Sequence, residues 1–201
     1  IGQNLLQAGE TVYLRGLVYY DAGSRSFYTR DKPIREPDDL AGMKIRVMKS
    51  QTSVRMVEAL GGSATPISFG ELYTALQQGV VDGAENNPPS FFLSKHFDVA
   101  RYYTLDMHTS VPDILLMSSH VWNSLNEEQQ GWVQEAARLS VAHQRALWKE
   151  SSDAALQAVM DAGVEVIRPD KAAFKDAVQE MHDSYKGDPV YALMQQIAEI
   201  N

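Results

Sequence analysis

Cysteine is missing from this 201-residue chain, which excludes disulfides, cysteine-based zinc sites and a thiol nucleophile together. Positive charge is in deficit: Lys and Arg total 18 against 26 Asp and Glu, leaving a net −8. That balance argues against nucleic acid as a partner, because such binding depends on clustered cations. A small anion stays possible, since local arginines can override the global sign. No run approaches the ~20 consecutive apolar residues of a membrane span, so no membrane insertion is expected. The chain opens on Ile1-Gly2-Gln3 rather than on Met, as expected of a mature form or a fragment. What is present is ordinary for a soluble globular protein, with 44% hydrophobic and 22% charged residues. Length allows one large domain or two modest lobes.

The stretch from Asp39 to Pro89 carries the strongest organisation. Two apolar runs, Met43 to Met48 and Gly79 to Val81, read as strands and alternate with helices at Thr52 to Leu60 and Ser68 to Gln78. Gly61-Gly62 supplies a helix C-cap signal, and Ser68-Phe69-Gly70-Glu71 matches a capping box. Asn87-Pro88-Pro89 predicts a stiff turn that holds Asn86. Upstream, Thr11 to Tyr20 and Arg25 to Arg30 read as strands flanking the turn Asp21 to Ser24. Lys32 to Asp38 reads as an extended connector. Downstream come a helix-like stretch at Ser90 to Ala100 and a buried strand at Asp113 to Met117. Asn126-Glu127-Glu128-Gln129 is a second capping box, opening a helix to Met160 with the stripe Val133, Ala137, Val141, Trp148, Ala155 and Val159. At 1.5 Å per residue that helix is roughly 50 Å long, more than one small lobe needs. Trp122, Trp132 and Trp148 are expected to pack it. Val164 to Ile167 reads as a strand, with closing helices at Asp170 to Tyr185 and Pro189 to Ile200. The alternation predicts an α/β protein with mostly parallel sheets.

Arg46, inside the apolar run KIRV, is partly desolvated and needs an anion, either a ligand carboxylate or an internal salt-bridge partner. Arg25 in GSRSF reads as a further anion contact or as a solvated loop arginine. Glu85, Asn86 and Asn87 fall past a strand, at the edge where open α/β sheets bind ligands, or are cap and turn residues. An enzyme has thin support. His96, His108, His120, His143 and His182 form no zinc motif, and there is no nucleophile elbow or P-loop. Asp38-Asp39 reads as a helix cap or exposed turn rather than a metal pair. No cofactor is implied.

DLAGMKIRV followed by ATPISFGELYTALQQGVVDGAEN resembles the DctP-type periplasmic solute-binding proteins of TRAP transporters. GSRSFYTRDKPI upstream, and VPDILLMS with WNSLNEEQQ downstream, extend the resemblance over nearly the whole chain. It implies a two-lobed cleft protein, monomeric and periplasmic, that closes over an organic acid and delivers it to a membrane permease. By the same resemblance Arg46 clamps the carboxylate, Asn86 and Arg25 add hydrogen bonds, Phe69 is a cleft-wall aromatic and Ser50 lines the ligand. The GAENNPPSF variant, with QTS after KIRVMKS, resembles members that bind hexuronates such as glucuronate or galacturonate. Implied domains are 1–22 and 109–126 as pieces of lobe 1, 23–108 as lobe 2, and 127–201 as a lobe-spanning helix with closing helices. Family members carry a further N-terminal part. The alternatives are an enzyme acting on small sugar acids, with Glu85 or a histidine as base, and a ligand-sensing module.

Overall fold

The computed structural model describes residues 2–200, which divide into two units. One comprises residues 24–110 and 151–191, the other the stretches up to Gly23, 111–150 and from Ala192 onward.

The larger unit is built on a six-stranded sheet. Its strands are β2 (Ser24–Thr29), β3 (Lys44–Val47), β4 (Ser63–Pro66), β5 (Gly83–Asn86), β6 (Tyr102–Ser110) and β8 (Glu165–Ile167), in the order β4-β3-β5-β2-β6-β8. Three of the five pairings are parallel, and β2 runs antiparallel to both its neighbours. Helices α2 (Gln51–Ala59), α3 (Phe69–Gln77) and α4 (Pro88–Leu93) alternate with these strands. Two apolar clusters cover the two faces. Tyr28, Ala84, Leu72, Leu76, Phe91 and Tyr103 make one, and Phe27, Ile45, Val57 and Phe174 belong to the other. Tyr28 and Phe27 are adjacent on β2, so the period of two along a strand sends them to opposite sides.

The smaller unit pairs β1 (Leu14–Tyr20) with β7 (Asp113–Ser118) in antiparallel fashion and includes the short helices α1 (Gly2–Gln7) and α5 (Ser119–Ser124). Leu17, Trp122 and Ala137 form its core, joined by Val18, Leu115, Met117 and Val133. Polar ties add to it: the Tyr20 hydroxyl meets Ser140 Oγ at 2.7 Å, and Gln144 brackets the backbone of Asp21. Gly23 has φ +67°, and a Cβ there would lie 2.9 Å from Trp148 Nε1, so only glycine suits this position. Helix α6 (Glu127–Asp161) is continuous over 35 residues, with 127–150 in the smaller unit and 151–161 in the larger. Its start is the expected capping box: Asn126 Oδ1 accepts from Gln129 N at 2.9 Å, and Gln129 Oε1 accepts from Asn126 N at 3.0 Å.

Several expectations need correction. Gly79 to Val81 is a turn with Gly79 at φ +73°, and the strand begins only at Gly83. The Ser68 side chain makes no capping bond; Glu71 N bonds the Ser68 carbonyl instead. Pro88 and Pro89 do not break the chain but open α4, where their missing N–H groups cost nothing. Asn87, not a turn around Asn86, is the N-cap, its Oδ1 accepting from Ser90 N at 2.9 Å. Thr11 and Val12 lie in a 3-10 helix rather than in β1, and Pro37–Leu40 forms another. Strand β7 is largely exposed rather than buried, and Trp132 is 62% exposed rather than packed. Asp170 to Tyr185 holds two helices, α7 (Lys171–Ala177) and α8 (Gln179–Asp183), before α9 (Pro189–Ala198). Strands β4 and β6 fall outside the expected strands.

Candidate functional site

Strand directions gather the site. Strands β3, β5 and β6 are aligned with one another while β2 opposes them, so one sheet edge collects three carboxyl ends and one amino end. That edge receives Arg46 from β3, Glu85 and Asn86 from β5, Arg25 from β2, and Asp106 and His108 from β6.

Register then separates these groups. Arg46 pairs with Ala84, and Asn86, two residues further, shares that face with Tyr28. Glu85 pairs with Phe27 on the other face. Arg46 is only 3% exposed. Its Nε donates to the Ile67 carbonyl at 2.8 Å, while its Nη1 is buried with no hydrogen-bond partner. No salt bridge to Arg46 is found among the described residues, so the internal ion-pair reading does not hold. Burial lowers its pKa, an effect that Tyr28 and Glu85 oppose. A buried donor without a partner costs about 1–3 kcal/mol, and more when charged. The guanidinium carbon lies 5.7 Å from the ring centroid of Phe69, the first residue of α3, which is 45% exposed.

Asn86 is buried. Its Oδ1 accepts from Asn87 N at 2.9 Å, and its carbonyl accepts from the Tyr103 hydroxyl at 3.0 Å. Ser50 is the N-cap of α2, its Oγ accepting from Ser53 N at 3.4 Å.

On the opposite face Arg25 is not a solvated loop arginine. It grips Glu85 through Nε to Oε2, through Nη2 to Oε1 at 3.0 Å, and through Nη2 to the Glu85 carbonyl at 2.9 Å. His108 Nε2 faces the same carboxylate at 3.7 Å, an ionic contact rather than a hydrogen bond, and Nδ1 meets Asp106 Oδ2 at 2.6 Å. Burial pulls the His108 pKa down, but Asp106 and Glu85 outweigh it and raise the value to about 9. Burial likewise pushes Glu85 up, and His108 and Arg25 outweigh that to hold it below its usual range. The result is a buried cluster of two cations and two anions. A bulge makes it possible. Arg25 pairs with Thr109 and Phe27 with Thr104, so β6 carries extra residues opposite Ser26, with Met107 at φ +54°.

Sequence reasoning missed the roles of Tyr28, His96, Asp106 and His108. Nothing in the order of residues announces the bulge that brings Asp106 and His108 to Glu85. A cavity of about 180 Å³ lined by Thr29, Asp31, Lys32, Asp39 and Asp82 lies at the opposite sheet edge. Two of its three carboxylates already serve the backbone: Asp39 accepts from Arg35 N and Glu36 N, and Asp82 from Lys44 N. It suits no anion.

An α/β sheet edge holding a buried, partly unpartnered guanidinium, with an asparagine on the same face, can receive a small anion. The chain is a member of the DctP family, matching "Bacterial extracellular solute-binding protein, family 7" over residues 1–188. This is a family of binding proteins, not of enzymes, and no described helix is long and apolar enough to cross a membrane. A relative from Salmonella typhimurium, the uncharacterized protein YiiZ, is 46% identical over 184 residues, covering 90% of this chain and 56% of its own length. A TRAP periplasmic solute-binding protein of Chromohalobacter salexigens with bound D-glucuronate superposes with a TM-score of 0.95 at 37% identity, covering 100% of this chain and 67% of the other. Its counterpart from a Sulfitobacter species, with bound β-D-galacturonate, gives 0.90 at 44% identity, covering 95% and 64%. The chain thus spans little more than half the length of the curated relatives it matches.

Proposed function

We propose that this chain supplies the carboxylate clamp of a periplasmic, monomeric binding protein that captures a hexuronate such as D-glucuronate or D-galacturonate. It hands the acid to a TRAP membrane permease without chemical change. The observation that carries this reading is the buried Arg46 guanidinium, whose Nη1 has no partner. A carboxylate satisfies it with a charge-assisted bond, which nets about 1.5–3 kcal/mol. Asn86 on the same face, with an amide able to donate, offers a second contact. Phe69 serves as an apolar wall for the sugar ring and Ser50 keeps its hydroxyl proton to donate, while Arg25 stays committed to Glu85 on the opposite face. The uronates bound in the similar solved structures support the ligand class.

The test is a thermal-shift screen of the full-length protein over organic acids, with a turnover assay beside it. Ligand that binds only the native state stabilises it by about 2.7 kcal/mol at a hundred times its Kd. Selective stabilisation by D-glucuronate or D-galacturonate with no product is expected. Stabilisation by neither uronate, or product formation from either, overturns the reading.

A further inference from the structure

We propose that His96 is a positioning residue of the Arg46 site, acting through the ring of Phe69 on one side and the hydroxyl of Tyr28 on the other. The inference rests on the carboxylate-clamp reading above. It begins with the backbone. Lys95 follows α4 in the left-handed region, at φ 55° and ψ 24°, a conformation uncommon for a residue with a side chain. That turn starts the 3-10 helix His96–Asp98 and puts His96 into the core, 1% exposed.

Phe69 is the less constrained partner. A ring this exposed takes its orientation from the few contacts it makes. One is the Arg46 guanidinium, and another is His96, edge to face at 5.5 Å and 64°. Behind His96, Nδ1 meets the Tyr28 hydroxyl at 2.8 Å. The Tyr28 ring packs on Phe91 at 4.6 Å, Phe91 stacks on Tyr103 at 4.8 Å, and the Tyr103 hydroxyl donates to the Asn86 carbonyl. A continuous path of ring contacts and hydrogen bonds therefore runs from Phe69 to Asn86 through His96. It links the two polar groups of the clamp from behind.

The choice of histidine follows from that position. A leucine would fill the space but leave the Tyr28 hydroxyl buried without a partner, which is costly. Burial, and then the positive charge of Arg46, lower the His96 pKa to about 4. The neutral imidazole can pair with Tyr28 without placing a second charge beside Arg46. Arg46 from β3, Tyr28 from β2 and Phe69 from α3 all face it, and none is an anion that would favour the imidazolium.

The test is a double-mutant cycle on the full-length protein, His96→Leu against Phe69→Leu, with calorimetric titration of D-glucuronate and D-galacturonate. Each single variant is expected to weaken binding about threefold to tenfold, and the double to be no weaker than the worse single, because the two act as a unit. His96→Gln keeps an acceptor for Tyr28 and is expected to recover part of the loss. It carries the cycle if His96→Leu does not fold. A ligand-free readout runs beside these, the aromatic resonances of labelled Phe69, which are expected to shift and to average faster in either His96 variant. Additive losses, or affinity unchanged in both His96 variants, overturn the proposal. If the wild-type protein binds neither acid, the clamp reading falls, and the Phe69 resonances alone decide the positioning: unmoved resonances refute it.

Discussion

Replacing Glu85 with glutamine takes one negative charge out of a buried cluster that holds two cations. In the native arrangement Glu85, 2% exposed, neutralises Arg25 through a two-point grip and faces His108. Breaking a buried pair by removing one partner costs about 3–5 kcal/mol. Glutamine keeps an acceptor oxygen for Arg25, and the Arg25 side chain is 16% exposed, so water screens part of the loss. The expected destabilisation is therefore at the low end, about 3 kcal/mol. With a urea slope of roughly 2 kcal/mol/M, the unfolding midpoint at pH 7 falls by about 1.5 M. A second signature follows from His108. Its folded pKa lies above the unfolded value, so its stabilisation is complete below about pH 6.5 and is lost as pH rises toward 9. Without Glu85 only Asp106 holds the imidazolium, and the decline of stability between those pH values becomes shallower. A loss under about 0.5 kcal/mol, the range of an ordinary surface substitution, with an unchanged alkaline slope would refute the reasoning.

Two further outcomes follow from the same structure. His96, with a folded pKa near 4 against 6.5 unfolded, destabilises the native state as pH falls through that window. Urea unfolding is expected to show a loss of roughly 2 kcal/mol from this group between pH 6.5 and 5, reduced in His96→Gln; an identical acid slope in the variant contradicts it. Asn126→Ala removes one half of the capping box and should cost about 1 kcal/mol. Faster amide exchange at Gln129 is the check, and unchanged exchange would show that the cap contributes nothing.

Local rules made the helical frame legible. Asn126-Glu127-Glu128-Gln129 named its own hydrogen bonds, and the stripe from Val133 to Val159 follows the shielded side of α6. KIRV was readable as a strand because Ile45 and Val47, two residues apart, both enter one apolar cluster of the sheet. Strand β5 was not readable, since GAEN has turn composition. It is a strand because it is hemmed in by β3 and β2, and Gly83 is there because a Cβ would meet the Tyr28 carbonyl oxygen at 2.5 Å. Composition rules also misled at Pro88 and Pro89, whose fixed φ suits a helix start as well as a break. The site was half legible. The need of Arg46 for an anion follows from its apolar neighbours, and the resemblance to a family supplied its companions. That Arg25 is already held by Glu85, and that Asp106 and His108 complete that cluster, depends on strand register and on a bulge. Those are properties of paired strands that no single segment contains.

The central claim is that Arg46 is a buried guanidinium kept for a ligand carboxylate. Its most direct test is calorimetric titration of the full-length protein and its Arg46→Ala variant with D-glucuronate. Truncating one partner of a buried charge pair costs about 2–5 kcal/mol, so affinity is expected to fall at least tenfold while the fold persists by circular dichroism. Equal affinity in the two proteins would contradict the account.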